Sequence, residues 1–193
     1  MKQTARVVSL FGLLFALSSA CFSRPKDVLG WERARWGMTD QDIVRVFGSK
    51  AKKQPDFEQY GSGLLGYIVT GINLRGHTYA AYFRMDGGKL GEVDVRFQQM
   101  QSLVPREDLF NGLESLLTHR YGAPDGKTDE RSSEKPIKFL SLIRTWRFAT
   151  TTVELSYGWN EPSSSNLMVR YFPSNAREEL PTTHNKALQL TAR

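Results

Sequence analysis

"TYAAYFRMDGGKLGEVDVRFQ", residues 78–98, reads as two strands and the turn between them. Asp86-Gly87-Gly88 is a strong hairpin signal, because glycine accepts positive φ without a Cβ clash. After the turn the alternation is clean. Val93, Val95 and Phe97 share one phase; Glu92, Asp94, Arg96 and Gln98 share the other. A strand with one apolar and one polar face belongs to an antiparallel sheet with one side packed and one side open.

Working outward, Leu64–Leu74 reads as the preceding strand, with Arg75-Gly76-His77 as its turn. Upstream, Thr39–Phe47 reads as a helix. Thr39 suits its cap, Asp40 and Asp42 its first turn, and Gly48 its end. Downstream, Leu109, Phe110, Leu113, Leu116, Leu117 and Tyr121 recur at the spacing of a core-facing helical stripe. Pro105 precedes this helix and Gly122 stops it. Residues 125–137 (DGKTDERSSEKPI) read as a loop, and 140–148, 152–159 and 167–172 as three more strands.

The pattern predicts an α+β fold: two layers, a six-stranded, mostly antiparallel sheet, and two helices on one face. The order is a tandem of αβββ units, 36–99 and 105–172, inside one domain spanning 36–173. Residues 21–35 read as a linker and 174–193 as a disordered tail.

The leader points to export. Lys2 and Arg6 precede the short apolar run Val7–Leu17, and Ser18-Ser19-Ala20 supplies small residues for cleavage, so 1–20 reads as a signal peptide. Cys21 is the single cysteine of the 193 residues and follows at once. Two readings stay open there: a lipid-bearing first residue, or an ordinary cut that leaves a thiol near the new terminus. Either way no internal disulfide can form, so stability rests on packing. Removing Lys2 and Arg6 takes the formal charge from +6 to +4, and the excess is dispersed. No basic stripe interleaved with aromatics marks a nucleic-acid surface. The tight run Lys50, Lys52, Lys53 reads as cations at a helix C-terminus.

"WGMTDQDIVRVFG" at 36–48 and "FRMDGGKL" at 83–90 resemble the small exported SmpA/OmlA (BamE-like) family. Two such units in tandem resemble the β-lactamase-inhibitor-protein architecture. The resemblance implies a non-enzymatic envelope protein that works by contact. This chain differs in having two units where the BamE-like proteins have one, and in lacking the cysteines that staple the inhibitor.

No pattern names a reaction or a cofactor. His77, His119 and His184 are scattered, without metal-ligand spacing. Ser163–Ser165 lack a nucleophile-elbow context. Glu92, Asp94 and Glu154 pair as carboxylates on one sheet face, but Arg96 continues their row, which favours a solvated charged face. Trp31, Trp36, Phe97, Trp146, Tyr157 and Trp159 fall mostly on apolar phases and read as core. The opposite phase carries Tyr82, Arg84, Arg96, Met168 and Arg170, of types enriched at protein interfaces. These five are the candidate binding face, and a contact surface requires them clustered and unpaired with the chain's own acids. The expected function is an exported, non-enzymatic cell-envelope interaction module, either lipid-anchored through Cys21 at the outer membrane, facing the periplasm, or soluble in the periplasm. Its expected partner is another envelope protein. The alternatives are an inhibitor or small-ligand binder and, third, an exported hydrolase.

Overall fold

The computed structural model describes residues 24–55, 59–60, 63–98, 104–133, 138–161 and 164–175. The first helix, α1 (Asp40–Phe47), begins with a capping box. The Thr39 hydroxyl accepts from the Asp42 backbone N–H, and the Asp42 carboxylate accepts from that of Thr39 at 3.0 Å. Strands β1 (Ala51–Lys53), β2 (Gln59–Tyr60), β3 (Gly63–Leu74), β4 (His77–Asp86) and β5 (Lys89–Phe97) follow. Helix α2 (Glu107–Tyr121) then leads to β6 (Gly126–Ser132), β7 (Phe139–Arg147), β8 (Thr151–Asn160) and β9 (Ser164–Pro173).

Eight of these strands form one antiparallel sheet in the order β1-β3-β4-β5-β9-β8-β7-β6, while β2 pairs beside β3. This overturns the expected six-stranded sheet of tandem αβββ units. Only 8 and 15 residues are helical in α1 and α2. The second series has four strands, and the two series join at β5–β9 into a single sheet. The physical reason lies at the edges. Strand β6 is GKTDERS, within the stretch read as a loop, and its residues are exposed or half-buried. An edge strand held by backbone bonds to β7 needs no apolar alternation, and charge there blunts unwanted pairing. Likewise Lys52 and Lys53 lie in β1, paired with Ile68 and Tyr67, rather than simply trailing a helix.

Register explains the core. Phe83, Val93, Tyr171, Val153 and Trp146 stand opposite one another across β4, β5, β9, β8 and β7. All five are buried. Phe47 of α1 meets Phe83 at 5.2 Å between ring centroids, and Trp31 meets both. Phe110 of α2 approaches Tyr157, and Tyr121 approaches Phe148. Two polar ties fix α2. The Tyr157 hydroxyl accepts from the Arg106 backbone N–H at 2.7 Å, and the Trp146 indole donates to the Gly122 carbonyl at 2.8 Å. Part of the stretch read as a linker is packed as well, since Trp31 and Ala34 are buried and Arg24 pairs with Asp125.

Candidate functional site

The same registers that align the core align charges on the opposite face. Tyr82, Asp94, Arg170, Glu154 and Thr145 form one row across five strands. Arg84 stands opposite Glu92, and Arg96 lies between Ala80 and Met168. The result is a cluster of three carboxylates and three guanidiniums.

The carboxylates are not solvated, contrary to the expectation. Side chains of Glu92, Asp94 and Glu154 keep 7%, 5% and 8% of their exposure, while Arg84, Arg96 and Arg170 keep 20%, 18% and 29%. The arginines therefore lie over the acids. Arg84 pairs with Glu92, and Arg96 reaches Asp94 at 2.6 Å. Arg170 bridges three acids, at 3.1 Å from Glu92, 3.5 Å from Asp94 and 3.9 Å from Glu154. Its Nε is close enough to Glu92 and Asp94 for ion pairing but off line for a hydrogen bond to either. Arg96 also stacks over Tyr82, 4.8 Å from the ring centre.

Electrostatics split the two neighbouring acids. Burial, reinforced by the Asp94 carboxylate, pushes Glu92 up to about 8 against the pull of Arg170 and Arg84. Burial also works against ionising Asp94, but hydrogen bonds from Glu92 and Arg96 outweigh it and hold Asp94 below its ordinary value. The pair is thus biased toward a proton on Glu92 and the charge on Asp94. As a catalytic dyad this pair is obstructed by its own arginines: guanidinium groups face both oxygens of Glu92 and of Asp94. The binding-face expectation also meets a correction. Tyr82, Arg84, Arg96, Met168 and Arg170 are clustered on β4, β5 and β9, but their arginines are paired with the chain's own acids.

A cavity of about 520 Å³ lies on the helical face. Its floor is Val95, Val169 and Tyr171 from the sheet centre, with Ile72 and Leu74 from the far end of β3. Its roof is Leu113, Leu116 and Leu117 of α2, and Trp31 also lines it. Register on β3 shifts between Val69 and Ile72, and Gly71 at φ 74 lies within that irregularity. The cavity also has polar walls. Glu32, His119 and Arg120 line it, and Arg120 pairs with Glu32 at 3.6 Å with both side chains more than half exposed. Tyr171 also lines the cavity, and burial, reinforced by Tyr121, raises its hydroxyl well above the ordinary value. Sequence reasoning placed Leu113, Leu116 and Leu117 on a core stripe but had no signal for space beneath them. Half-buried Leu116, in an otherwise buried stripe, is the trace that the structure adds.

The remaining candidates are dispersed. His77 packs its ring against Phe97, and His119 is at the cavity. Cys21, His184 and Ser163 lie outside the described residues. Among the described residues no group of three His, Cys, Asp or Glu side chains is placed to hold a metal ion, and no helix is long and apolar enough to cross a membrane. Compared with known proteins, the chain matches no family model, no curated protein and no solved structure.

Proposed function

We propose that this is an exported, non-enzymatic protein of the cell envelope, held there by a lipid on Cys21, that works by binding a small apolar ligand. The observation that carries the binding reading is the 520 Å³ cavity between α2 and the sheet. Its volume falls within the range of small-molecule sites, about 300–1,000 Å³, and its walls are mostly apolar with a few polar groups among them. The charged face supports the non-enzymatic part, because its acids are locked by their own arginines. Export and anchoring rest on the leader and on the place of Cys21.

A second reading, a module that grips another envelope protein, is favoured by one observation. Tyr82, Arg84, Arg96, Met168 and Arg170 are half-buried on adjacent strands, and ion pairs hold the three arginines in place, which is a pre-organised surface. One experiment separates the two. The protein is purified from detergent-solubilised envelope, and both small molecules and proteins that accompany it are identified by mass. A stoichiometric small apolar molecule supports the first reading. A stoichiometric protein, lost on Arg84→Glu but kept on Leu116→Trp, supports the second. Recovery of the protein from the aqueous phase, with no acyl mass on Cys21, ends the anchor proposal.

A further inference from the structure

We infer that the cavity under α2 takes a single-chain anionic amphiphile, its tail between Leu113, Leu117 and Val169 and its head group at Arg120. This rests on the small-ligand reading above and adds the ligand's charge and shape. The tail follows from the walls: floor and roof are aliphatic apart from Trp31 and Tyr171, so burying a hydrocarbon chain there gains the usual apolar transfer energy. The head follows from the rim. Arg120 borders the cavity directly. Among the described residues its carboxylate partner is Glu32, at 3.6 Å with both side chains more than half exposed, and such exposed pairs are weak. A ligand carboxylate can therefore replace Glu32 at little cost, whereas an ammonium head would have to displace a cation in order to use Glu32. Arg75, next to the cavity-lining Leu74, lies against α2 at Gly112, where an added Cβ would come within 3.4 Å of its Nε. The charged groups of the lining are thus Glu32 and Arg120, and the Arg75 guanidinium lies outside it, alongside α2.

The test uses the purified full chain and three probes of similar chain length, each below its aggregation concentration: hexadecanoate, hexadecanol and hexadecyltrimethylammonium. Binding is read by calorimetry and by the emission of Trp31, which lines the cavity. Hexadecanoate is expected to bind about tenfold more tightly than hexadecanol, the factor that about 1.4 kcal/mol provides. Arg120→Gln should remove that preference while leaving hexadecanol affinity and melting temperature unchanged. Leu116→Trp, at a half-buried wall position, should weaken both by filling the space. Equal affinities for acid and alcohol, an Arg120→Gln variant that still prefers the acid, or preference for the cationic probe would each overturn the head-group inference while leaving the small-ligand reading standing. If no probe binds above background, both fall.

Discussion

The two faces of the central sheet are built from the same strands and obey opposite logics. On the helical side, rows such as Phe83–Val93–Tyr171–Val153–Trp146 are continuous, apolar and buried beneath other elements. On the other side, the row one residue out of phase carries Asp94, Arg170 and Glu154 and buries its acids under its own arginines. The apolar face tolerates a void, because hydrocarbon walls can stand apart at a cost that grows only with cavity size. The polar face tolerates no missing member. An acid left without its guanidinium keeps the desolvation cost and loses the attraction. The space for a ligand is accordingly found on the forgiving side.

The largest expected effect breaks the polar face. Arg170→Ala removes the one group that touches all three acids. It should cost about 3–5 kcal/mol in denaturant unfolding, the range for deleting one partner of a buried pair. A cost under about 0.5 kcal/mol, the level of ordinary exposed sites, would show that the face is wet and the contrast between faces unreal. By the same argument, charge reversal at Arg96 or Arg170 is not silent for stability.

The apolar face should show its own internal contrast. Leu155 has no exposed surface and does not line the cavity, whereas Leu113 borders it. Truncation to alanine costs about 2–5 kcal/mol at buried leucines, set by the void left behind. Leu155→Ala should fall in the upper part of that range and Leu113→Ala in the lower, since Leu113 already has free space beside it. Added hexadecanoate should recover part of the Leu113→Ala loss and none of the Leu155→Ala loss. Equal costs and equal rescue would mean that no distinct cavity exists.

The charged face should also imprint a pH slope. Glu92 ionises near 8 when folded against 4.5 ordinarily, so between those values the folded state holds a proton that the unfolded state has lost. Stability therefore falls as pH rises through that window, by up to about 1.4 kcal/mol per pH unit. Glu92→Gln imitates the protonated form. It should change stability at pH 7 by less than about 1 kcal/mol and flatten the slope between pH 5 and 8. An unchanged slope in the variant would assign the titration to another group.

How much of this was legible follows the same division. The hairpin at Asp86-Gly87-Gly88, the alternation of β5 and the stripe of α2 are local patterns, and each could be read from a short window. The edge strand β6 could not, because GKTDERS has no buried face to leave a period. Nor could the charge cluster. Strand phase puts Glu92, Asp94, Glu154, Arg96 and Arg170 on the polar face, but which acid meets which arginine follows from the β5–β9 and β8–β9 registers, set by pairings distant in sequence. The cavity was hidden for a different reason. Apolar spacing says which side chains turn inward, and says nothing of how well they fill the space they turn into.

The smallest effect comes from an ion pair placed where neither face needs it. Arg24 holds Asp125 through two hydrogen bonds, at 2.8 and 2.7 Å, and stacks over Phe148. Both side chains are about one-third exposed, so solvent screens most of their attraction. The Asp125 carboxyl is drawn down to about 2, first by Arg24 and then by the backbone N–H of Arg147, which donates to it at 2.6 Å. Its sign is opposite to that of Glu92. The contribution is present above the ordinary carboxyl value of 3.8 and disappears as pH falls toward 2. Arg24→Ala should cost about 0.5 kcal/mol at pH 7, with the screening taken into account. It should raise the Asp125 titration, followed by carboxyl NMR shifts, only part of the way to 3.8, because the Arg147 N–H remains. A full return to 3.8 would show that the backbone bond contributes nothing. A loss above about 2 kcal/mol would show that this exposed pair behaves like the buried cluster, and the distinction between wet and dry ion pairs in this protein would not hold.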